Sequence, residues 1–326
     1  MTDRIVLTDI ASPSWEHPAD RAALNALRSI PFFDDVVKKT FAYFGEKGVR
    51  QLFLANAVRV GPTQRPQLDA LLTEVLAAYD WTERPQLYVT QSPDVNAMAI
   101  GFEKPFIVIT SGALAQLNHD GVRAVLAHEV AHIMSGHVVY RTLAEIIMLV
   151  GFTALPFVAA AALFPVHVAL MEWYRKSELS SDRGALLAVQ DRTAVMHTFM
   201  TLAGGHDHGD AIDLDAFMAQ AAEYETEGDV VDRAWKVINT MSRKHPFATV
   251  RAGELQRWID GGAYDRILGG EYLRRADAPT QPDLGRDMKD AAAYYGDQAM
   301  AAADKFGDVL GRARTAFDDA FKGGRR

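Results

Sequence analysis

Residues 146–171, IIMLVGFTALPFVAAAALFPVHVALM, run for 26 residues without a formal charge. A helix of about 20 apolar residues crosses a bilayer, so length alone permits a span. Pro156 and Pro165 interrupt the stretch and predict two short helices rather than one straight rod. Its flanks constrain it further. Histidines cluster just before it, in AVLAHEVAHIMSGH (124–137), and carboxylates just after it, in RKSELSSDRGALL (175–187). If the two clusters build one site, both ends of the stretch lie on the same side of any bilayer. One crossing would separate them, and 26 residues are too few for two. Three readings stay open: a buried helical hairpin, a hairpin dipping into one leaflet, or a contact between copies of the chain.

The histidine cluster contains His128, Glu129 and His132 in the pattern H-E-x-x-H, set among apolar Val125, Leu126 and Val130. Asp120 is the expected N-cap of the helix. Residues four apart share a helix face, so both imidazoles can reach one ion. The chain has no cysteine, so a soft metal must be held by imidazole and carboxylate. Zinc suits that donor set and keeps a position for water. Glu129 is placed to accept a proton from an attacking water. His137 is a tempting third ligand. The three-histidine pattern, however, needs glycine at position 135 and histidine at position 138, where this chain has Ser135 and Val138. Five residues past His132, His137 turns off the shared face and is read as local packing or a cap. A carboxylate from a later helix is the remaining route. Glu178 and Asp182 are four apart, so Glu178 can complete a two-histidine, one-glutamate site. Asp182 can then take the spare N–H of a ligand imidazole. Without H-E-x-x-H, the same pair would read as a solvated helix face.

Composition narrows the rest. The chain has 326 residues, 49% hydrophobic and 23% charged, an ordinary globular balance. A net charge of −8 implies no broad basic surface, so nucleic acid is not an expected partner. The start, MTDRIVLTDIASPSWEHPAD, lacks the apolar core of a signal peptide, and a cytoplasmic location is expected. Residues 19–60 read as helical, with breaks at Gly45 and Gly48, and a further helix follows with Pro66 in its first turn. QLYVTQ, NAMAIG and FIVITSG are short, β-rich and separated by turn residues, the signature of a small sheet. From about 112 the chain reads as helical again. GGHDHGD (204–210) is glycine-flanked and reads as a loop rather than a second metal site.

At this point the sequence resembles the gluzincin zinc metallopeptidases that include the heat-shock protease HtpX and the type 1 CaaX prenyl protease. The resemblance runs from about 86 to 258 and rests on five motifs in order: NAMAIG, ITSGAL, AVLAHEVAHIMSGH, RKSELSSDRGALL and HPFATVRAGEL. It implies a zincin-like catalytic core within an α+β, mainly helical fold, with the small sheet beside the H-E-x-x-H helix. It implies one zinc ion per chain held by His128, His132 and Glu178, with Glu129 as catalytic base and acid and Asp182 behind the ligands. It marks Asn96 and His245 as groups near the substrate or the developing oxyanion, and Arg251 as a supporting residue. A donor such as His245 aimed at developing charge lowers a barrier. The resemblance also implies an edge strand, Asn96, Ala97 and Met98 onward or FIVIT, that holds a protein or peptide substrate by backbone pairing. Met98, Ser181 and Phe247 depart from the family's usual aromatic, alanine and second proline. None of these removes a ligand or the base; they leave substrate preference open.

Three regions follow: an N-terminal helical region (1–84), a zinc metallopeptidase domain (85–275) containing a hydrophobic hairpin (143–174), and a linker with an amphipathic helical tail (276–326). The tail repeats every 11 residues, placing Tyr295, Phe306 and Phe317 in register, and with them Met288, Ala299, Leu310 and Phe321. Eleven residues close three helical turns, so one face stays apolar. From 284 to 326 the tail carries eight Lys/Arg and seven Asp, which weakens attraction to anionic lipid. The related membrane proteases carry hydrophobic hairpins, which brings membrane association into view beside burial. Self-association or membrane-surface contact through 146–171 and 284–326 is the corresponding partner expectation. The sequence thus reads as a zinc endopeptidase acting in protein quality control at or near a membrane. The alternative is a catalytically latent membrane-surface or scaffold protein built on the same fold.

Overall fold

The computed structural model describes residues 4–29, 53–150, 157–205, 213–226 and 244–278, together with 33, 48, 50, 51, 285, 287, 289 and 290. Most of the helix expected over 34–52, the loop at 206–212 and the repeats at 291–326 lie outside the described residues. The described chain is mainly helical with one small sheet, an α+β arrangement. It divides into two compact units, residues 1–16, 46–138 and 178–278 forming one, and 17–45, 139–177 and 279–326 the other.

The first unit is built on a four-stranded sheet of β1 (Ala57–Arg59), β2 (Gln86–Thr90), β3 (Ala97–Ile100) and β4 (Phe106–Thr110). Their order is β1-β2-β4-β3, with β2 parallel to β4 and the outer strands antiparallel to their neighbours. β1 lies where the sequence reads as helix. Pairing with β2, from Ala57 opposite Thr90 to Arg59 opposite Tyr88, decides the local conformation against the helical pattern. Alternation then sorts the strand side chains. Leu87, Val89, Ala99, Ile107 and Ile109 face the main core, while Tyr88, Phe106 and Val108 form a second cluster with Met98 and Ile100 packed against it.

Helix α2 (Pro66–Ala78) carries Pro66 in its first turn, as its missing N–H allows there, and sends Leu68, Leu71, Leu72, Val75 and Leu76 into the main core. After the one-turn helix α3 (Ser111–Gln116) comes α4 (His119–Met134), which carries H-E-x-x-H. Its N-cap is Asn118, whose side chain accepts from the Gly121 N–H at 2.8 Å. Asp120, the expected cap, lies inside the first turn, where its charge suits the helix dipole and pairs with Arg123. Leu126, Ala127, Val130 and Ala131 on α4 are fully buried. Each such aliphatic side chain larger than alanine stabilises the fold by about 1.5–3 kcal/mol through the area it removes from water.

Helices α5 (Val138–Val150) and α6 (Phe157–Val189) carry the uncharged stretch. Two helices are present, but the second continues through Pro165 instead of ending there, so the expected break at that proline is corrected. Pro156 lies outside the described residues. In the second unit Leu143 and Ala144 of α5 share one apolar cluster with Ala169, Leu170 and Trp173 of α6. Helix α1 (Pro18–Arg28) joins that cluster through Ala23, Leu24 and Leu27, and its buried Asp20 accepts from the Trp173 indole at 2.8 Å. Of the stretch itself, Ile147, Met148, Ala169, Leu170 and Met171 pack in this cluster. Among the described residues, no helix is long and apolar enough to cross a membrane. The first unit resumes at Glu178 within α6 and continues with α7 (Arg192–Gly204), α8 (Leu214–Thr226), α9 (Ala248–Asp260) and α10 (Ala263–Leu268).

Candidate metal centre

Helical periodicity sets His128 and His132 on one face of α4 and Glu178 and Asp182 on one face of α6. Packing brings the two faces together. The imidazole Nε2 atoms of His128 and His132 are 3.1 Å apart. Glu178 reaches both, Oε1 at 3.2 Å from His132 Nε2 and Oε2 at 3.5 Å from His128 Nε2. All three side chains are buried, and among the described residues they form the one cluster whose donor atoms lie within 4.8 Å of one another. Four ligands at zinc bond lengths of 2.0–2.1 Å stand roughly 3.3–3.5 Å from each other. The spacing of these three donors therefore fits a tetrahedral ion. The donor set, two imidazoles and a carboxylate, fits zinc equally well.

A shell of polar contacts holds the donors. Asp182 Oδ1 lies 3.0 Å from His128 Nδ1, and the Arg251 guanidinium clamps the same carboxylate, Nε to Oδ2 at 2.8 Å and Nη2 to Oδ1 at 2.5 Å. Arg251 lies over the Phe199 ring, 4.9 Å from its centroid. The charges follow from this geometry. Burial alone would lower the His128 pKa; hydrogen bonds to Asp182 and Glu178 outweigh it and hold the imidazole up at about 9. Burial alone would raise the Asp182 carboxyl; Arg251 and His128 outweigh it and keep that pKa below its ordinary value. Arg251 moves further up for the reciprocal reason, the charge of Asp182 overcoming burial.

Glu129 is buried beside the cluster, and its Oε2 accepts from the Ala99 N–H at 2.6 Å. The sheet explains that donor. The Thr110 N–H bonds the Asn96 carbonyl at 3.0 Å, so alternate β3 residues turn their backbone groups toward β4. Ala97 and Ala99 turn theirs to the sheet edge, where Glu129 takes one of them. Met98 falls on the other alternation. Its side chain packs on the far face of the sheet against the Tyr88 cluster, outside the cleft. Asn96, Ala97, His245, Glu129 and Arg251 all line one cleft of about 590 Å³ with His128, Glu178 and Asp182. His245 sits with Nδ1 2.6 Å from Glu178 Oε2, against the carboxylate rather than away from it. The same cleft has an apolar lining from Leu117, Val125, Val195, Phe199 and Leu202.

Two contributors carry no signal in the sequence: the Ala99 N–H and the Phe199 ring. Both depend on contacts distant in sequence.

Comparison with known proteins places this geometry. The sequence profile of Peptidase family M48 matches residues 62–259. The chain is 32% identical over 269 residues to the plastoglobule-localized metallopeptidase 48, chloroplastic, of Arabidopsis thaliana, covering 81% of this chain and 77% of that one. It is 23% identical over 196 residues to the protease HtpX homolog of Helicobacter pylori strain J99, covering 52% of this chain and 63% of that one. It is 42% identical over 66 residues to the protease HtpX homolog of Bacillus subtilis strain 168, covering 20% of this chain and 22% of that one. No solved structure matches it significantly. A family profile over most of the chain, a relative aligned across four-fifths of it and a converged His-His-Glu cluster lead to one conclusion: the chain belongs to peptidase family M48 and is a metallopeptidase.

Proposed function

We propose that the protein is a zinc-dependent endopeptidase with a zincin-like core, and that residues 85–275 carry the catalysis. The convergence of His128, His132 and Glu178 on one point is the observation that supports this most directly. These three would hold the ion, which when bound supplies Lewis-acid polarisation of a peptide carbonyl and of water. The chain's own groups do the rest. Glu129, one oxygen tied to Ala99, presents the other to accept a proton from water and return it to the leaving amine. Asp182 takes the His128 N–H and is itself held by Arg251, which fixes the ring that points at the ion. His245 is the proposed donor to the developing oxyanion.

The edge of β3 supports an extended peptide as substrate. Ala97 offers its backbone groups there, and pairing along a main chain needs no free terminus, as an endopeptidase requires. Asn96 and Ala97 are the proposed substrate contacts, with Met98 contributing only as a sheet residue. The apolar lining favours a substrate with a bulky apolar side chain beside the cleaved bond. Action in protein quality control at or near a membrane, and contacts through 146–171 and the tail, belong to the same proposal.

The experiment is Glu129→Gln. Its zinc content should equal that of the parent, and its hydrolysis of casein should fall by about 100-fold or more. Undiminished hydrolysis would overturn the mechanism. Zinc-loaded parent protein that leaves casein intact would instead favour the latent scaffold reading.

A further inference from the structure

Helix α4 does not continue to His137. It ends at Met134, and Gly136 takes the left-handed conformation with φ 67°. The Gly136 N–H then bonds the Ile133 carbonyl at 3.0 Å, and the His137 N–H bonds the His132 carbonyl at 3.0 Å. This pair of bonds is the Schellman closure, which folds the residue after the glycine back over the last helical turn. In this closure the residue above His137 is His132. The two rings meet edge to face, 5.2 Å between centroids, with their Nδ1 atoms 3.0 Å apart. Both side chains are buried.

A hydrogen bond between two ring nitrogens needs the proton on one and a lone pair on the other. His132 turns Nε2 toward His128 and Glu178. A nitrogen that binds a metal is bare, so the proton of that ring must sit on Nδ1. With an ion on His132 Nε2, His132 would donate this bond and His137 would accept it.

We propose that His137 is a positioning residue of the metal centre, accepting the Nδ1–H of His132 and so setting that ring's tautomer and aim. It rests on the reading of His132 as a zinc ligand. The two ligand imidazoles are thus held differently, His128 by the carboxylate of Asp182 and His132 by a second imidazole. The Gly136 turn delivers the second holder without lengthening the helix.

The test compares two polar replacements. Asparagine places its amide oxygen where Nδ1 of histidine stands; glutamine carries its amide one bond further out, near Nε2. Zinc affinity is measured by competition with a chelator, and melting temperature is measured on the metal-free proteins. His137→Gln should weaken zinc binding by about 10- to 100-fold, and His137→Asn should stay within about threefold of the parent. A residue that only packs would shift the metal-free melting temperature and leave zinc affinity alone. Equal zinc affinity in the glutamine variant and the parent would therefore overturn the proposal, as would equal weakening in both variants. Parent protein that binds no zinc would defeat the ligand reading first, and this inference with it.

Discussion

Replacing Gly184 with alanine tests how the two ligand-bearing helices are allowed to approach. Gly184 lies six residues past Glu178 on α6, and Ala131 lies between His128 and His132 on α4. A β-carbon on Gly184 would stand 2.5 Å from the Ala131 Cβ, 3.2 Å from the Trp15 indole nitrogen and 3.3 Å from the Tyr79 hydroxyl. Carbon–carbon contact is favourable only beyond about 3.5 Å, so the helices must part by about 1 Å. On an isolated helix the change would stabilise by about 1 kcal/mol. Overpacking a core costs about 1–3 kcal/mol, and the atom it meets is a methyl group fixed to the backbone, with no rotamer to yield. The difference is a net destabilisation of up to about 2 kcal/mol. The metal centre should suffer more. Ligand distances tolerate about 0.2 Å, and a parting of about 1 Å exceeds that tolerance several times over. Zinc affinity by chelator competition should fall at least about tenfold, and urea unfolding of the metal-free protein should report the stability loss. Gly204→Ala is the control, since a β-carbon there meets nothing within 4 Å. A Gly184→Ala protein that is more stable than the parent and binds zinc as tightly would refute the reasoning.

Two further outcomes follow from the same contacts. His128 has a folded pKa of about 9 against an ordinary 6.5, so its contribution is fully present below pH 6.5 and is lost as pH rises through 9. The metal-free protein should accordingly lose on the order of 3 kcal/mol of unfolding free energy between those limits; flat urea midpoints across the window would contradict it. Arg251→Leu leaves the Asp182 carboxylate buried without its main counter-charge, and should cost about 3–5 kcal/mol in the same assay. A loss below about 1 kcal/mol would show that His128 alone satisfies Asp182.

Read from sequence alone, the short-range relations came through. The spacing of His128 and His132, and of Glu178 and Asp182, specifies shared faces because 3.6 residues close a helical turn. The absence of cysteine narrows the donors to imidazole and carboxylate. Pro66 marks a helix start, and the three β-rich segments are the strands β2, β3 and β4. His137 packs locally, as its spacing suggests; what the spacing does not give is its neighbour, because Ser135 and Gly136 end the helix and the closure sets His137 against His132. The tertiary structure decided the rest. Periodicity gives an angle about a helix axis, but not which helix that face will meet. Asp182 finds Arg251 across 69 residues, and Glu129 finds the Ala99 N–H across 30. The strand at Ala57–Arg59 exists because β2 offers it a ladder, and α6 carries on through Pro165 where a local rule expects a break. Met98 looks away from the cleft because pairing with β4 sets the register, and one residue of register exchanges the two faces of a strand. Local rules thus named the chemical groups, and long-range packing chose which of them stand within bonding distance of one another.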